Sequence, residues 1–321
     1  MTHRPTIVAT FLASSLAVAA AYAQAPAAPA KPAVPPASTP APAAPAVPPA
    51  PTAPAGPRKL AHDGELPAAK AVFAKHLAAI GGEEAWAAKT GMVSTGSMEI
   101  PAAGLKGTMK MSAMVPAKVL VEIDLPGMGK TASGFDGTTG WTSDPMRGPS
   151  IMDAEQVAQL KRDGNFRRDL ELARDPGTAE TLGLFEFEGT PCWQVRTPWA
   201  NGTDAMNYYE KDSGLLKGMS MTAATPMGDL PVTIVTNDYK DFGGVKVAAR
   251  TVTKVMGQQQ VMAIDTVEWN AATDQGFELP AEIKALRDAP KPAAAPAAPT
   301  APAAPAPPAA PAAPKAPAGT K

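Results

Sequence analysis

The sequence predicts an α+β fold, an antiparallel sheet with its helices gathered on one side. Three observations carry this. Much of the chain between two proline-rich ends alternates apolar and polar residues with a period of two. Glycine-rich turns separate the alternating stretches, and helical spacing is confined to two regions.

The first helix is expected over Pro67–Ile80, where proline suits the first turn and Val72, Phe73, Leu77 and Ile80 share one side. Gly81 and Gly82 stop it, and "EEAWAAK" (83–89) reads as a further short helix or turn. In "LKGTMKMSAMV" the odd positions Leu105, Met109, Met111, Ala113 and Val115 are apolar and the even ones Lys106, Thr108, Lys110 and Ser112 polar, which marks a strand with one buried face. "KVLVEIDL" repeats the pattern with Val119, Val121, Ile123 and Leu125, and Pro116 makes a tight connection between the two. Turns at "PGMGK" and "FDGTTGW" lead from one strand to the next. The second helical region starts at Asp153, an N-cap with Gln156 at the capping-box position, and places Val157 and Leu160 inward. Gly164 interrupts it before "NFRRDLELARD" (165–175). A hairpin follows over 206–221, turning at Asp212-Ser213-Gly214 and carrying Met219 and Met221. Three more strands fill 232–270, with turns at Gly243-Gly244 and around Gly257–Gln259.

The ends are of another kind. Met1–Ala23 has a basic start at His3 and Arg4, an apolar core and the small-x-small sequence Ala21-Tyr22-Ala23. It reads as a secretory signal peptide cleaved near Ala23, which places the mature protein in the periplasm with no transmembrane segment left. Residues 24–57 and 289–321 are Pro/Ala-rich, unable to build a core, and read as disordered linker and tail. The folded domain is expected at 58–288. With 29 basic and 30 acidic residues and no basic stripe, nucleic acid is not an expected partner.

Familiar catalytic patterns do not assemble. "PGMGKT" at 126–131 resembles a phosphate loop, but Asp124 stands where its first glycine belongs, and the following glycines cannot continue as a helix. His76 with Glu83 and Glu84 matches no zinc spacing, so neither metal nor cofactor is expected. The lone Cys192 reads as buried packing. No nucleophile–base arrangement is present, and the expectation is a protein without enzymatic activity. Methionine does stand out among the strands, as an adaptable lining for a ligand of variable shape or as ordinary core.

The order of "AAIGGEEAW", "FDGTTGW", "LFEFEGTPCWQVR", "NYYEKDSGLLKG" and "YKDFGGVKVAARTV" leading to "VEWNAATDQGFELP" resembles the LolA/LolB-like fold. The resemblance is closest to exported proteins labelled outer-membrane lipoprotein-sorting protein. It implies an unclosed half-barrel of antiparallel strands whose concave face is capped by helices and shields acyl chains. The partner implied is a lipid or acylated lipoprotein. Its lining is expected from Phe73, Leu77, Ile80, Val157 and Leu160 on helices, with Met109, Met111, Val121, Ile123, Met219 and Met221 on strands; Trp86 and Trp141 are expected at the rim. The alternative expectation is a structural envelope protein whose Pro/Ala tails span the cell wall and whose half-barrel binds a protein partner, in contact with outer-membrane or cell-wall components.

Overall fold

The computed structural model describes residues 56–198, 204–225 and 228–289; the segment read as a signal peptide and nearly all of the two Pro/Ala segments lie outside them. Fourteen strands form one antiparallel sheet. Six of them, β2 (Gly91–Ile100), β3 (Leu105–Met114), β4 (Lys118–Leu125), β5 (Gly129–Phe135), β6 (Gly140–Asp144) and β7 (Gly148–Ile151), pair in chain order. Seven more do the same: β8 (Glu180–Phe187), β9 (Thr190–Pro198), β10 (Asp204–Glu210), β11 (Leu216–Thr225), β12 (Gly228–Asp241), β13 (Lys246–Val255) and β14 (Gln258–Trp269). The two meanders meet where β14 pairs with β2, from Val261↔Glu99 to Trp269↔Met92. The short β1 (Arg58–Lys59) borders β8, and β7 is the other edge. The edges do not pair with each other, so the barrel stays open.

Curling so many strands demands close approach. A Cβ at Gly96 would lie 1.9 Å from the carbonyl oxygen of Ala263, and one at Gly107 would lie 2.0 Å from that of Asp124. Only glycine allows the neighbouring strands so near.

Helices occupy the expected positions with trimmed ends: α1 (Ala69–Ala79), α2 (Gly82–Ala87), α3 (Ala154–Asp163) and α4 (Arg168–Arg174). The α3 cap is the capping box read from the sequence: Asp153 Oδ1 accepts from the Gln156 amide at 2.8 Å, and Gln156 Oε1 accepts from the Asp153 amide at 3.0 Å. A fifth helix, α5 (Ala281–Asp288), adds an element that the periodicity did not suggest; one of its residues, Ile283, is buried. Its place is on the opposite face of the sheet from the other four, against Trp141, Leu279, Leu120 and Ala132.

Candidate functional site

Successive side chains of a strand point to opposite faces, so register assigns each strand residue to one of two surfaces. Contacts with helices identify the first. Val72 and Phe73 of α1 pack on Val195 and Tyr209. Leu77, Ile80, Trp86 and Leu170 enclose Val245, with Trp269 beside them. Leu160 and Val157 of α3 lie over Val119, Val121 and Phe135, with Met111 and Ile123 at the margin. From β14 to β5 these contacts fall at one end of the strands, in the paired row Trp269, Met92, Ala113, Val119, Phe135, whereas on β9 the cover of α1 reaches Val195, the register partner of Asn207.

Toward the other end the same face has a different cover. Ala223, Val232 and Val255 form a buried cluster with Met221, Leu230 and Ile234 half-buried around it, and every member comes from a strand. Met219 stands between Asn207 and Ile234 in register, and Met98 is paired with Met262. Between β9 and β5, register places no Asp, Glu, Lys or Arg on this end of the face among the described residues. The charges alternate to the far side, where Lys106 pairs with Glu99 at 2.6 Å and Lys254 with Glu188 at 2.9 Å. Lys130, the lysine of the look-alike phosphate loop, is a β5 residue whose ammonium pairs with Glu122 at 2.6 Å.

The expected lining residues therefore divide. Phe73, Leu77, Ile80, Val121 and Leu160 are buried between helices and sheet, and Met109 is buried on the same face nearer the helix-free end. Met111, Ile123, Val157, Met219 and Met221 are half-buried. Trp86 is buried, edge-on to Trp269 with ring centroids 5.5 Å apart, and its Nε1 donates to the carbonyl of Ile80 at 3.2 Å. Trp141 is also buried, but on the α5 side of the sheet and away from α1 to α4. Asp136 sets this: its carboxylate accepts from the amides of Thr138 and Thr139 at 2.7 Å each, and the turn delivers Gly140 beneath Val157 and Trp141 to the other face.

Buried polar groups on either side of Val195, at the margin between the α1 cover and the helix-free face, were not legible from periodicity. Asn207 is 0% exposed, with Nδ2 donating to Thr197 Oγ1 and, at 3.4 Å each, to the carbonyls of Val195 and Ala205. Its Oδ1 has no hydrogen-bond partner, and neither has Oγ1 of Thr181, 8% exposed and paired with Val195 from the other side.

The remaining chemistry-bearing groups are engaged structurally. The ring of buried His76 lies between the carbonyl of Gly214, 3.0 Å from Nδ1, and Asp169, 3.6 Å from Nε2. Cys192 is buried among Phe187, Tyr208 and Val235, and burial, aided by Glu210, pushes its thiol up to about 12. Among the described residues no group of His, Cys, Asp and Glu is placed to hold a metal ion, and no helix is long and apolar enough to cross a membrane.

This is an α+β unclosed half-barrel, the architecture that the LolA-like resemblance implied. No family model matches the sequence, and no curated protein matches it. Among solved structures the chain is similar to a DUF1329 family protein from Desulfovibrio piger, at 12% identity and TM-score 0.47 over 65% of this chain and 97% of that one. It is similar also to a LolA superfamily protein from Nitrosomonas europaea, at 11% identity and TM-score 0.46 over 67% of this chain and 99% of that one.

Proposed function

We propose that this is an exported, periplasmic lipid-binding carrier without catalytic activity, which holds an acyl chain or the lipid of an acylated lipoprotein against the helix-free end of the half-barrel face. One observation carries the reading: a contiguous apolar surface of Met219, Met221, Leu230, Val232 and Ile234, built by strands alone, continues the face that helices cover elsewhere. Methionine thioethers repack around chains of different shape. Withdrawing a chain of ~16 methylenes from water is worth on the order of 12 kcal/mol before the cost of ordering it. The binding role is supported by the engagement of His76 and Cys192 in packing and hydrogen bonds that leave neither poised as a nucleophile or base. The leader at Met1–Ala23 supports export.

Delipidated protein should take up a fluorescent acyl chain, and Met221→Trp, which fills space beside Val232, should reduce uptake several-fold while shifting the unfolding midpoint little. If the face is a solid core instead, that substitution costs about 1–3 kcal/mol of stability and there is no uptake to lose. Wild-type protein that binds neither fatty acid, acylglycerol nor acylated peptide would refute the carrier reading.

A further inference from the structure

We infer that the lipid taken by this face has an uncharged, hydroxyl-bearing head group of the acylglycerol type, in preference to a free fatty acid or an ionised phospholipid. The inference rests on the carrier reading above and specifies its substrate class.

Charge comes first. An ionised head group brought onto this surface would leave water without meeting a countercharge, because register sends Arg196, Arg250, Lys254, Lys106 and Lys130 to the opposite side of the sheet. A buried carboxylate or phosphate without a partner is strongly disfavoured. Among the described residues, the buried polar side chains from the edge of α1 outward on this face are neutral: Thr181, Thr197, Asn207 and Gln260.

Hydrogen bonding then selects within the uncharged lipids. Asn207 uses its amide nitrogen on the protein, which leaves a carbonyl oxygen that can only accept. Thr181 Oγ1 is unpartnered on the other side of Val195. A buried acceptor left unpaired is costly, so a site with this composition favours a ligand that brings an O–H donor. Met219 is the register partner of Asn207, so a head group hydroxyl at Asn207 would start its acyl chain on the methionines and run it toward Val232 and Ala223.

The test compares three probes with one oleoyl chain on the delipidated full-length protein: monooleoylglycerol, methyl oleate and oleate, at about pH 8 where the carboxyl is ionised. Each is read by displacement of a fluorescent acyl chain. Monooleoylglycerol should bind about tenfold or more tighter than oleate and several-fold tighter than methyl oleate, which is uncharged but has no donor. Asn207→Leu should remove the advantage over methyl oleate and leave methyl oleate binding in place. Thr181→Val, a smaller change, should reduce the advantage in part and serves if the first variant does not fold. Oleate binding as well as monooleoylglycerol, or an advantage that persists in the folded variants, overturns the inference and leaves the carrier reading intact. Failure of all three probes to displace the chain overturns both.

Discussion

Asp169 illustrates how a single side chain ties the helices to each other. It sits on α4, 3.6 Å from the ring of His76 on α1, and that ring also reaches the carbonyl of Gly214 in the turn between β10 and β11. Burial alone would raise the carboxyl, yet the nearby ring of His76 and its charge, with a contribution from Arg168, outweigh it and hold Asp169 below the usual carboxylate range. A folded-state value below the unfolded one contributes stability above the unfolded pKa, and that contribution is lost as pH falls through the folded value. Asp169→Asn should therefore destabilise the protein by about 1–2 kcal/mol at neutral pH. Urea midpoints of wild type and variant should converge as the pH drops below about 4, and a gap that persists in acid would show that the carboxylate charge is not its source. The sequence placed His76 in the first helix beside Leu77; its burial and its partners were not legible, because the partners lie 93 and 138 positions away. Trp141 shows the opposite difficulty. Alternation along β6 is clear, but one residue more or less in the preceding turn exchanges the faces, and that turn is fixed by the Asp136 hydrogen bonds.

Among the elements, α3 seats closely on the sheet. A Cβ at Gly140 would come 2.3 Å from Cγ2 of Val157, and one at Gly164, the helix C-cap, would come 2.5 Å from Cγ2 of buried Val119. Gly164 has an ordinary right-handed backbone, φ −84°, so its need for glycine is one of space. On an open site Gly→Ala stabilises by about 0.4–1 kcal/mol. Gly164→Ala should instead cost about 1–3 kcal/mol through overpacking, whereas Gly276→Ala, with no heavy atom within 4 Å of the added Cβ, should be neutral or slightly stabilising. Denaturant midpoints decide between these signs. A stabilised Gly164→Ala would mean that α3 rides higher above β4 than described. The sequence declared this helix openly through Asp153 and Gln156, because a capping box is a local signal. It did not declare α5, which has eight residues, one of them buried, and takes its stability from Trp141 and Leu279 in place of its own periodicity.

For the molecule as a whole, the two meanders were readable strand by strand, since period-two alternation and hairpin turns are local. The seam was not. β14 and β2 lie some 160 residues apart, and nothing near either strand names the other; only completing the apolar face selects that pairing. The seam makes one continuous surface from Ile234 and Thr253 through Gln260 and Met262 to Met98, and the charges on the reverse side follow from the same alternation. The carrier reading depends on the helix-free end of that surface meeting an acyl chain. Photocrosslinking with a monoacylglycerol bearing a diazirine in its acyl chain, followed by peptide mapping, tests this most directly. The account predicts adducts on the peptides containing Met219, Met221, Ile234 and Met262, suppressed by excess unlabelled monooleoylglycerol. Adducts confined to the α5 side, around Leu120 and Trp141, or no competable adducts at all, would contradict it.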